Sequence, residues 1–166
     1  MADLKWLDSY SGQTIEELIE MAGEYRIDSL VVAMEQALQQ KAAQAGEQEL
    51  SDEERIVLAV EALEREVSNG GYIQFFTSAS GEYAPIVVEA LLRIDCPETA
   101  RVTQIAIEAL GLLDTSPEAL EAACEAENDA RDEELEECDG LYFGAGEEIA
   151  DQLFEFVRAN QDVIQL

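Results

Sequence analysis

Apolar residues along this chain recur at helical spacing, and the clearest run lies between Ser51 and Val67. Ile56, Val60, Leu63 and Val67 follow one another at spacings of four, three and four, and Val57 widens the stripe. Glu61, Glu64, Arg65 and Glu66 occupy the other face, which gives an amphipathic helix. Its start is marked by Ser51 and Glu54, a pair that can cap each other's backbone, with Asp52, Glu53 and Glu54 at the positive end of the helix dipole. The helix is expected to end in a structural turn at Asn69, Gly70 and Gly71, where glycine reaches left-handed geometry without a steric penalty. Beyond it lie Tyr72, Ile73, Phe75 and Phe76; of the two phenylalanines, one is expected in the core and the other over a neighbouring helix. Asn69 and Gln74 are the polar members expected to hydrogen-bond backbone in that turn.

The same periodicity covers the rest of the chain. Trp6, Leu7 and Tyr10 form an aromatic group expected to dock on the body. Thr14 with Glu17 makes a second capping box ahead of Ile15, Leu18, Ile19 and Ala22, and Gly23 stops that helix. A helix over Ser29 to Ala45 places Leu30, Val31, Met34, Ala37 and Leu38 inward and turns polar in its second half, which is expected to be exposed. Pro85, Pro97 and Pro117 each suit the first turn of a helix, the last of them behind Ser116 as cap. Ile149, Leu153, Phe154, Phe156 and Val157 define a final helix. No alternating pattern competes, so the expectation is an all-α, single compact domain of about seven helices joined by short turns. Residues 1–50 supply N-terminal helices, and 51–166 supply the core, including an acidic helix over 117–138.

Composition changes this picture through charge. The chain of 166 residues is 48% hydrophobic, enough for a core, yet it holds 38 acidic residues against 9 basic ones and no histidine, for a formal charge of -29. Such a surface repels nucleic acid and anionic membrane, so the partners it predicts are basic proteins or cations. Cys96, Cys124 and Cys138 fit neither a closed disulfide set nor a zinc site, and a reduced, cytoplasmic setting is expected. No stretch approaches the roughly 20 apolar residues of a membrane span.

The acids are densest from Pro117 to Cys138, where ten carboxylates face the single base Arg131. As one continuous helix this stretch would be about 33 Å long, with a net charge about every 3.7 Å, close to the roughly 3.4 Å charge spacing of one DNA strand. The candidate partner-binding residues are therefore Glu121, Glu125, Asp129, Asp132, Glu133, Glu136 and Glu137. Competing chemistries have little support. There is no D-x-D-x-D-G loop for calcium, no histidine to act as base for a cysteine, and no phosphate-loop or serine-nucleophile motif. Two carboxylates suffice for glycoside hydrolysis, but among 38 acids that signal has no specificity. No enzyme activity, cofactor or metal is expected.

The strings Glu66-Val67-Ser68-Asn69-Gly70-Gly71-Tyr72 and Gln74-Phe75-Phe76, with Glu54-Arg55, Ser80-Gly81 and Ala90-Leu91, resemble a family of small acidic bacterial all-α domains that includes a DNA-mimic protein. Asp139-Gly140-Leu141-Tyr142-Phe143 forms a second, weaker block. Ser68 stands where the family usually has asparagine, and Asp95-Cys96 where it has glycine-alanine. The resemblance implies an all-α fold, a homodimer, and binding of a DNA-binding protein or transcription factor through an acidic, phosphate-like surface. The leading expectation is thus an acidic interaction protein that occupies the basic DNA-binding face of a partner. The alternative is a structural or regulatory interaction module that meets its partner through apolar surface, its acidity serving solubility.

Overall fold

In a computed structural model that describes residues 3–166, every regular segment is helical. Among the described residues the elements are eight α-helices: α1 Ile15–Glu20, α2 Ile27–Ala45, α3 Asp52–Thr77, α4 Ala84–Arg93, α5 Pro97–Ala109, α6 Pro117–Glu125, α7 Asp129–Gly144 and α8 Ile149–Ala159. Short 3-10 turns lie at Glu47–Glu49 and Ala79–Tyr83. The all-α expectation holds. The eighth helix arises because the acidic segment is not one helix over 117–138: it breaks after Glu125, and α7 runs on past Cys138 through Leu141, Tyr142 and Phe143. Among the described residues no helix is long and apolar enough to cross a membrane.

The chain divides into two compact units. The first comprises the residues up to Glu61 together with Glu148–Leu166, and the second is Ala62–Glu147. In the first unit, α2 packs against α1 and α8, with Leu30, Val31, Met34 and Leu38 of α2 buried, as are Leu153, Phe154 and Val157 of α8. Both capping boxes form: Thr14 Oγ1 accepts from the Glu17 N–H at 3.2 Å, and Ser51 Oγ accepts from the Glu54 N–H at 3.1 Å. Glu54 does more than cap. Its buried carboxylate takes Lys41 Nζ on both oxygens at 2.8 Å and the Gln165 N–H at 2.9 Å, while Ser51 Oγ donates to the Val163 carbonyl. The C-terminal residues are thereby tied to the start of α3. The N-terminal stretch docks through its backbone: the Lys5 N–H donates to the Glu24 carbonyl and its carbonyl accepts from the Arg26 N–H, while the Leu7 and Tyr10 N–H groups donate to the side chains of Ser29 and Gln36. Trp6 stays half exposed, with the Arg26 guanidinium 5.5 Å from its ring centroid.

In the second unit, α5 packs against both α4 and α7, and the Ala79–Tyr83 turn lies against α4 and α6. Helical geometry in α3 breaks at Gly70 and Gly71, as the glycines predict, but the chain re-enters a helix at Tyr72. Only Gly71 is left-handed, at φ 77°. A Cβ there would strike the Asp139 carboxylate of α7, whose Oδ1 accepts the Tyr72 N–H at 2.8 Å. The re-entry is thus capped from a distant part of the chain. Phe75 and Phe76 are both buried, with ring centroids 5.6 Å apart, because the short segment they share is covered on more than one side.

Candidate functional site

The candidate surface is built from α6 and α7, both in the second unit. Ser116 caps α6 by accepting from the Ala119 N–H, and Asn128 caps α7 by accepting from the Arg131 N–H at 3.0 Å. Asn128 is the local reason that the acidic stretch splits, because an asparagine cap competes well with continuation of a helix. Arg131 is the second reason. Its guanidinium donates to the carbonyls of Ala123, Cys124 and Ala126 at the end of α6, where the helix dipole is negative, and to Asp132 at 2.7 Å. Its side chain is only 5% exposed.

The only base between Pro117 and Cys138 is therefore turned inward, onto backbone carbonyls and Asp132. Glu121, Glu125, Asp129, Asp132, Glu133, Glu136 and Glu137 are all exposed, and Asp132 alone of them pairs with Arg131. One face of α7 carries Arg131, Leu135, Cys138 and Tyr142 into the interior at spacings of four, three and four. The rest of its circumference is free for acids. From Asp129 to Glu137 there are six carboxylates along about 12 Å of axis, one about every 2 Å, against roughly 1.7 Å for the two strands of duplex DNA together. The break shortens the acidic rods to about 13 Å for α6 and about 24 Å for α7, in place of one rod of about 33 Å.

Behind α7 the packing is polar as well as apolar. Tyr142 donates its hydroxyl to Glu64 of α3, and its ring meets Tyr72 edge-on at 5.9 Å. The Tyr72 hydroxyl pairs with Thr103 Oγ1 at 2.8 Å, and because Thr103 already donates to the Thr99 carbonyl, Tyr72 is the donor. Thr99 in turn donates to Glu147 at 2.7 Å. Burial pushes the Glu64 carboxyl up to about 7, and pushes Asp139 up in the same direction. The three thiols are free and their pKa values are raised by burial, Cys96 to about 12, so that thiol stays protonated. In the turn, Asn69 is exposed and Gln74 donates to the Glu66 carboxylate at 3.1 Å in place of backbone. Ser80 and Arg65 complete that cluster, Ser80 donating to Glu66 and Arg65 lying 3.5 Å from it.

A family model described as DMP19-like protein matches residues 48–160, about two-thirds of the chain. The chain belongs to the DMP19-like protein family. No curated protein matches the sequence. The family match takes in the capped start of α3, the Gly70–Gly71 break and all of α6 and α7, so the turn and the acidic surface lie in the part shared with the family. Asp139, Glu64 and Arg131 are the residues that sequence reading left without a role. Asn128 followed by Asp129, a cap and a first-turn acid, was the available sign of the new helix.

Proposed function

We propose that this protein acts by binding rather than catalysis, as a cytoplasmic DNA mimic: its α6–α7 surface occupies the basic DNA-binding face of a protein partner such as a transcription factor. The observation that carries this reading is the inward turn of Arg131, which leaves the exposed carboxylates of two adjoining helices, Asp132 apart, without a balancing cation on their own segment. The family's name, which refers to a DNA mimic protein, supports the same reading. Lysines and arginines of the partner would pair with Glu121, Glu125, Asp129, Glu133, Glu136 and Glu137 and shed their own counterions. We further propose a homodimer, which would double the acidic surface.

The test is capture of a basic protein at low salt, followed by competition with duplex DNA. Binding should fall steeply between about 50 and 200 mM salt, as charge-driven complexes do. Duplex DNA should displace the protein, and Asp129→Asn, Asp132→Asn, Glu133→Gln and Glu136→Gln together should abolish capture without loss of helical content. Retained binding in that fourfold variant would refute the assignment of this surface. Light scattering at micromolar concentration tests the dimer.

A further inference from the structure

The outward face of α7 is not acidic along its whole length. Asp129, Glu133, Glu136, Gly140 and Phe143 follow one another at spacings of four, three, four and three, so they form a single stripe, and all five are exposed. Over about 21 Å the stripe passes from three carboxylates to a glycine and an aromatic ring. Phe143 is 62% exposed, Leu141 beside it 47%, and the Phe143 ring leans edge-on against Tyr142 at 5.5 Å. Gly140 lies inside the helix, where it costs about 1 kcal/mol relative to alanine, and Gly144 is the last helical residue. Neither has the left-handed backbone that would require glycine. A Cβ at either would meet nothing within 4 Å. Among the described residues, neither packing nor backbone geometry accounts for the bare position at Gly140, three residues from an exposed phenylalanine.

We propose that this stripe docks a basic amphipathic helix of a partner protein: cationic side chains pair with Asp129, Glu133 and Glu136, and the apolar face of the same helix packs on the shelf of Gly140, Gly144 and Phe143. Charge complementarity selects this occupant. The same stripe on a second copy of the chain offers no cation to Asp129, Glu133 and Glu136, whereas a helix of about four turns with cations at one end and small apolar residues at the other matches the stripe in length and in order. Glycine at positions 140 and 144 lets two helix backbones approach closely, and Phe143 supplies an anchor that DNA does not have. This inference rests on the interaction reading above, which it sharpens from a charged surface to a helix-binding one.

The probe is a synthetic basic amphipathic peptide of about 16 residues, lysine and arginine at one end of a face that continues in alanine and leucine, compared with poly-L-lysine on the full chain. Calorimetric titration should show the peptide retaining measurable affinity at about 200 mM salt, where poly-L-lysine is lost. Gly140→Leu and Phe143→Ser should each weaken the peptide at least tenfold and leave poly-L-lysine unchanged. Gly140→Leu places its Cβ in open space at an exposed position and raises helix propensity, so a folding defect would not explain its loss. Equal salt sensitivity of the two ligands would overturn the proposal, as would unchanged peptide binding by both variants or dissociation of a dimer by Phe143→Ser. The fourfold acid variant separates the two readings. If it loses both ligands while Gly140→Leu loses neither, the charged surface stands and the shelf falls. If it keeps the peptide while Gly140→Leu loses it, the shelf stands and the charge-based reading falls.

Discussion

Glu64→Gln isolates one carboxyl whose titration should be visible in the stability of the whole protein. Glu64 is largely buried beside Tyr142 and Tyr72, and desolvation raises its carboxyl from 4.5 to about 7. A folded pKa above the unfolded one means that the folded chain holds the proton more tightly. The stabilisation is therefore complete below about 4.5 and is lost as pH rises through about 7. A gap of about 2.5 units at 1.36 kcal/mol each corresponds to about 3 kcal/mol. The hydroxyl that Tyr142 donates favours the ionised form and makes this an upper value. Glutamine keeps the shape and an acceptor for Tyr142 but carries no charge. Urea unfolding of parent and variant, followed by circular dichroism at pH 5, 6, 7 and 8, should give near-equal stabilities at pH 5 and a variant more stable by about 2–3 kcal/mol at pH 8. The comparison cancels the general repulsion among the remaining acids. A difference that stays constant from pH 5 to 8 would refute the claim that burial governs this carboxyl.

Gly71→Ala should destabilise the protein by about 1–3 kcal/mol, because φ 77° is strained for alanine and the new Cβ meets the Asp139 carboxylate; the urea midpoint reads this directly. Arg131→Met keeps the bulk but leaves the last carbonyls of α6 without their donor, so a loss of about 1–3 kcal/mol is expected. That loss should be accompanied by faster amide exchange confined to the junction of α6 and α7, and uniform exchange across the chain would contradict it.

What could be foreseen from sequence was local. The Thr14–Glu17 and Ser51–Glu54 boxes involve residues three apart, so the residue types alone predict the bonds that form. Pro97 and Pro117 open their helices for the same reason, since ring geometry acts on the first turn alone. The core faces of α2, of α3 up to Val67 and of α8 followed from their spacing. What escaped prediction depends on contacts between distant parts of the chain. Gly70 and Gly71 mark a break, but whether a helix resumes at Tyr72 is decided by Asp139, 67 residues away. Glu64 sits on a stretch that reads as a polar face, and its burial follows from Tyr142, 78 residues on. The acidic surface was legible as residues and not as shape: all seven candidates are exposed, but Asn128 and Arg131 bend their segment into two helices. A lone arginine among ten acids reads as one more surface charge until its carbonyl partners are known.

The Asp139 carboxylate lodged against Gly71 acts as a dowel between α7 and α3. If α7 slid by one turn, about 5.4 Å, or rotated by one residue, about 100°, the carboxylate would leave both the Tyr72 amide and the space that only glycine vacates. The phase of α7 is thus locked. Its outward stripe stands at one setting with respect to the body of its unit, as a fixed template of charges and bare backbone. Individual acids on that template can be exchanged without resetting it, so its pattern and its frame are free to vary separately.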